Sequence, residues 1–141
     1  MKSRVEDTIK RHKSGYNCAQ AVVCTYCDLL DTKEQAAFCM SEGFGAGMGG
    51  MENTCGALSG AVMLAGLKGS DGNLEDPKTK GKTYQLSKEI VKRFQETCGA
   101  TICKELKGIE TGKPKYACPD CIRTAAKIAE DVLFGEENEQ I

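Results

Sequence analysis

The chain has 141 residues, with 19 basic and 20 acidic side chains and a formal net charge of −1. A chain of this length makes one domain whose core closes without disulfides, and the near-neutral balance excludes a charge-driven nucleic-acid or membrane partner. Nine cysteines are the departure from ordinary composition, and an odd number leaves at least one thiol free in a monomer.

In chain order, residues 3–13 read as a helix, with Val5 and Ile9 four apart, and Gly15 breaks it. Asn17 is a good N-cap, with Gln20 three residues on, for a helix running to about Leu30. Asp31 or Thr32 caps a third helix over 33–42. Gly43–Gly50, GFGAGMGG, is a loop. A fourth helix follows Asn53 or Thr54 and runs to about Leu67, its glycines permitting close helix contact. Pro77 suits the first turn of a long amphipathic helix that ends near Thr97, with Gly81 able to delay its start. Thr101 caps a short helix over 102–106, and the last helix starts at Cys118-Pro119-Asp120 and ends near Phe134. The tail from Gly135 should fray. The predicted fold class is all-α: one cysteine-rich domain over residues 1–141, a compact bundle of six or seven helices with a glycine-rich loop.

The N-terminal segment has no apolar run of signal-peptide type, and Cys55–Leu67 is too short and glycine-rich to span a bilayer. A cytoplasmic location is expected. There, cysteines serve metals or catalysis more often than structural disulfides.

Placed on these helices, four cysteines fall in first turns: Cys18, Cys55, Cys103 and Cys118. Free N–H groups and the positive end of the helix dipole both favour a thiolate, the form that attacks electrophiles and binds metals. Cys24, Cys27 and Cys39 lie inside helices. Cys27 stands about 180° from Cys18, at about 100° per residue, so these three read as small core residues. Cys98 ends its helix, where the dipole opposes a thiolate. Cys118-Pro-Asp-Cys121 is a CxxC at a helix start, but no βαβ pattern surrounds it. His12, the one histidine, sits between Arg11 and Lys13 and reads as solvated surface. Gly45-Ala-Gly47-Met-Gly-Gly50 fits GxGxxG, yet no strand precedes it, which speaks against dinucleotide binding.

The runs Gly15-Tyr-Asn-Cys18-Ala-Gln-Ala-Val, Gly43-Phe-Gly-Ala-Gly-Met-Gly-Gly, Cys55-Gly-Ala-Leu-Ser-Gly60, Cys103-Lys-Glu-Leu106 and Cys118-x-x-x-Ile122-x-x-Ala125-Ala126 resemble a redox-active family. It is named for its C, GCAxxG, C, C cysteine pattern, and the likeness spans roughly residues 5–134. The resemblance implies that the characteristic cysteines are Cys18, Cys55, Cys103 and Cys118. It also implies redox activity, with iron–sulfur binding as a family property. It brings no substrate.

The first expectation is therefore an electron-transfer protein. Its metal–thiolate centre, an iron–sulfur cluster, would be held by Cys18, Cys55, Cys103 and Cys118. N–H groups of Gly47, Gly49, Gly50 and Gly56 would serve the cofactor. The alternatives are metal-free thiol–disulfide chemistry with Cys55 attacking and Cys18 resolving, a structural zinc site, or a helical interaction domain with cysteines as core. The expected partner is an unidentified electron donor or acceptor; an oligomer is compatible with the sequence. Whether the chain is an enzyme stays open.

Overall fold

The computed structural model describes residues 1–135, which form seven α-helices around one hydrophobic core. These are α1 (Val5–Lys13), α2 (Cys18–Tyr26), α3 (Glu34–Ser41), α4 (Gly56–Gly69), α5 (Lys80–Cys98), α6 (Cys103–Lys107) and α7 (Cys118–Leu133). The fold class is all-α, as the periodicity predicts.

α2 is the central helix, and all of its residues are buried. Its start is fixed by a full capping box. The Asn17 side chain accepts from the Gln20 N–H at 2.9 Å, and the Gln20 side chain accepts from the Asn17 N–H at 2.9 Å. α4 packs directly on α2. A β-carbon at Gly60 would lie 2.8 Å from the Ala19 carbonyl oxygen, so glycine there sets the helix separation. The apolar stripe of α7, with Ile122, Ala125, Ala126, Ala129 and Leu133, closes the core together with Ile90 and Phe94 of α5.

Three expected helix starts move. Asp31 adopts a left-handed conformation after a 3₁₀ turn at Cys27–Leu30, so α3 begins after Lys33 without a side-chain cap. Pro77 stands outside α5. The Asn73 side chain accepts from the N–H groups of Glu75 and Asp76 at 3.1 and 3.2 Å, which holds the segment in a turn, and the helix starts at Lys80. The carbonyl of Thr101 accepts from Cys55 instead of capping α6. The expected fraying of the tail concerns mostly residues 136–141, outside the described residues.

Far from the first turns, the buried Glu130 of α7 ties down the N-terminal segment. Its carboxylate accepts from the Tyr26 hydroxyl at 2.5 Å, the Arg4 N–H at 2.7 Å and the Ser3 hydroxyl at 3.2 Å. Among the described residues no helix is long and apolar enough to cross a membrane.

Candidate functional site

The glycine-rich loop does its first work on the backbone. Ala46, Gly47, Met48, Gly49 and Met51 all have positive φ, so the chain coils on itself between α3 and α4. Within the coil, the Met51 N–H donates to Ala46 at 2.8 Å and the Asn53 N–H to Gly47 at 3.3 Å. The loop is then clipped to the start of α6. The Cys55 N–H donates to Thr101 at 2.7 Å, and the Cys103 N–H donates to Asn53 at 2.9 Å, around an antiparallel bridge from Thr54 to Ile102. That clip sets two helix starts side by side. Cys55 is the N-cap of α4, and Cys103 is the first residue of α6.

Two glycines make the close approach possible. At Gly47 a β-carbon would stand 2.5 Å from the Cys103 β-carbon and 2.8 Å from the Asn53 carbonyl. At Gly56 it would stand 2.4 Å from the Cys18 sulfur and 2.8 Å from the Phe44 carbonyl. Gly49 and Gly50 are exposed and have open space around them.

The result is a cavity of about 180 Å³ at the meeting point of four helix starts. Cys18, Cys55, Cys103, Cys118 and Cys121 all line it, together with Gly56, Lys107, Leu106, Tyr116, Asn17, Ala46 and His12. So the four first-turn cysteines converge on one space, and the CxxC adds a fifth. Gly56 is on the wall; Gly47, Gly49 and Gly50 are not among the lining residues.

Helix position alone does not make these thiols alike. Burial pushes the pKa of Cys18 and Cys103 up, and that of Cys118 up to about 11. For these three, loss of hydration outweighs the first-turn N–H groups. Cys55 is the exception, lowered to about 7. The nearby Cys121 thiol is the largest cause, followed by the N–H groups of Ala57 and Leu58 and the Lys107 charge. These outweigh its own burial.

Cys98 lies outside the cavity lining, and the Cys121 thiol donates to the Tyr116 carbonyl at 3.9 Å. Its own pKa is pushed far up, because both neighbouring sulfurs favour its keeping the proton. Cys98 is lowered by the same thiol and by the Thr124 hydroxyl. One S–H serves one thiolate at a time. Cys55 has helix N–H groups in addition, whereas Cys98 closes α5 at the unfavourable end of its dipole. Of the three, Cys55 therefore has the surroundings that favour a thiolate most.

The remaining cysteines separate further. Cys24 and Cys27 are buried away from the cavity lining. The Cys24 thiol lies 3.8 Å from the Glu34 carbonyl oxygen. Cys39 is exposed, contrary to its reading as a core residue, because it falls on the solvent side of the short α3. His12 is half-buried on the cavity wall rather than fully solvated, since its Nδ1 bonds the Tyr16 carbonyl at 3.0 Å. The sequence reading missed Cys98 as a neighbour of the site, and also Lys107 and Tyr116. Their spacing carries no signal, because the clip between the glycine loop and α6 brings them in from different segments.

Among the described residues, no group of three or more His, Cys, Asp or Glu side chains is gathered closely enough to hold a metal ion. The cysteines surround one cavity without forming the compact four-thiolate set that a single zinc ion takes.

No curated protein and no solved structure gives a significant match to the chain. A family model does, over residues 16–132, which include all five cavity cysteines. With helix starts, glycine loop and cysteines falling within that match, the chain belongs to the family described as "Putative redox-active protein (C_GCAxxG_C_C)".

Proposed function

We propose that the protein carries out thiol–disulfide redox chemistry with Cys55 as the attacking thiolate and Cys121 as the resolving thiol. The observation that supports this most is that both thiols line one cavity, with Cys121 the largest cause of the Cys55 shift. One is placed at a helix N-terminus and the other holds the proton. A small oxidised thiol compound, RSSR, would enter the cavity. The Cys55 thiolate attacks one sulfur, a mixed disulfide Cys55–S–SR forms and RS⁻ leaves. Cys121 then attacks the Cys55 sulfur, its proton goes to the departing RS⁻, and the Cys55–Cys121 disulfide remains. Cys18, the resolving partner expected from the sequence, lines the same cavity with its pKa raised by burial, but Cys121 is the group that shifts Cys55 most.

The test is stoichiometric. On a Cys39→Ser background, which removes the exposed thiol, bis(2-hydroxyethyl) disulfide should release two small thiols per chain. Adding Cys55→Ser should release none. Adding Cys121→Ser should release one and leave the mixed disulfide on Cys55. Equal release with and without Cys55 overturns the reading.

A second reading keeps the metal–thiolate centre on Cys18, Cys55, Cys103 and Cys118, supported by their convergence on one cavity. Iron with acid-labile sulfide, and charge-transfer bands, in anaerobically purified protein would establish it; zinc alone would support a structural site.

A further inference from the structure

The cavity that Cys55 lines carries charge of one sign only. Among the described residues, Lys107 and His12 are the basic groups on its wall, and no aspartate or glutamate lines it. The chain as a whole has a net charge of −1, so the basic wall is a local feature and not part of a general positive field.

The two lysines of α6 are placed differently. Lys104 pairs with Glu52 at 3.0 Å and with Glu110 at 3.2 Å. Lys107, one turn on, has no carboxylate at ion-pair distance among the described residues, and it lines the cavity instead. His12 is tied at one nitrogen. The Tyr16 carbonyl can only accept, so Nδ1, 3.0 Å away, carries the hydrogen, and the ring is neutral or positive but never negative. Asn17 gives one amide hydrogen to the Glu42 carbonyl at 2.9 Å and keeps a second. The wall thus offers a ligand an ammonium and an amide N–H, and no acid to repel an anion. At about 180 Å³ the cavity lies below the roughly 300 Å³ at which pockets for drug-sized molecules begin, so its ligand is short.

We propose that the disulfide taken by this cavity is small and anionic, with Lys107 pairing with its acid group while Cys55 attacks its sulfur. This rests on the thiol–disulfide reading above and names its substrate class. The bond changes are those already given. The Cys55 thiolate attacks one sulfur, the new S–S bond forms, the substrate's S–S bond breaks, and one arm leaves as its thiolate with its acid group unchanged. Resolution by Cys121 then releases the second arm. The Lys107 ammonium also acts to lower the pKa of Cys55, Cys103 and Cys118, as a cation near those thiols does.

Three disulfides of similar size test this: 3,3′-dithiodipropionate, bis(2-hydroxyethyl) disulfide and cystamine, which are anionic, neutral and cationic at neutral pH. Each rate constant on the Cys39→Ser background is divided by that of free 2-mercaptoethanol with the same disulfide, which removes intrinsic reactivity. The normalised rate should be about tenfold higher for the anionic than for the neutral compound, the scale of a charge-assisted contact, and lowest for cystamine. Lys107→Gln should bring the ratio close to one, Lys107→Arg should keep it, and Lys107→Glu should invert the order. Because the compounds are compared on the same variant, any change in the Cys55 thiolate fraction cancels from the ratio. Equal normalised rates for all three, or a preference unchanged in Lys107→Gln, overturn the inference and leave the Cys55 chemistry standing. If Cys55 reacts with none of them, the thiol–disulfide reading falls and this inference with it.

Discussion

The Cys18 sulfur rests against the bare α-carbon of Gly56: a β-carbon there would come within 2.4 Å of it. The two residues begin α2 and α4, so this contact sets how closely the two helix starts approach, and with it the width of the cavity between Cys18 and Cys55.

Gly56→Ala therefore sets two effects against each other. Alanine in a helix is favoured over glycine by about 1 kcal/mol. Here the new methyl also meets the Phe44 carbonyl at 2.8 Å, and backbone cannot step aside as a side-chain end can. Overpacking of this kind costs about 1–3 kcal/mol. The expected outcome is a net loss of stability in urea unfolding, with slower alkylation of Cys55 as α4 shifts. A stabilised variant would show that the helix starts are looser than described.

The state of Cys55 is measurable by its rate of alkylation with iodoacetamide as pH is varied. The thiolate is the reacting form, so the rate should fall as pH drops through about 7 and level off above it, instead of rising through the ordinary thiol range near 9. Because the folded pKa lies below the unfolded one, the same ionisation stabilises the fold as pH rises from about 7 to about 9, and that contribution is lost as pH falls back through 7. Cys121→Ser keeps a hydroxyl donor and should hold the midpoint low. Cys121→Ala removes the largest cause of the shift and should move the midpoint toward 9. A midpoint unmoved by Cys121→Ala would mean that the helix N–H groups and Lys107 suffice.

The Glu130 cluster tests whether the fold and the site can be perturbed separately. Tyr26→Phe removes one of three hydrogen bonds to a buried carboxylate, a loss of about 1.5–3 kcal/mol for a bond to a charged acceptor. Glu130 lies on α7 roughly 13 Å from Cys121 at 1.5 Å per residue. The expected result is a lower urea midpoint with the Cys55 alkylation profile unchanged. A shifted profile would mean that α7 transmits strain along its length.

Much of the helical frame follows from local chemistry. Asn17 and Gln20 form the capping box that their spacing predicts, and the stripe of α7 buries the residues that its 3.6 period selects. Such features depend on neighbours a few residues apart, which is why they are legible. Where a competing local bond intervened, as with Asn73 ahead of α5, the predicted start slid by a turn. That Cys18, Cys55, Cys103 and Cys118 sit in or beside first turns is likewise a sequence property.

What those first turns do to a thiol was decided by the tertiary structure. Three of the four are buried deeply enough that desolvation wins over the helix N-terminus. Cys55 escapes because Cys121, from the last helix, and Lys107, from α6, are folded against it. These contacts join residues far apart in the chain through the backbone clip between Asn53–Cys55 and Thr101–Cys103. Spacing along a sequence fixes which face of a helix a sulfur occupies, but not which other sulfur it meets, because that depends on how separate helices are brought together.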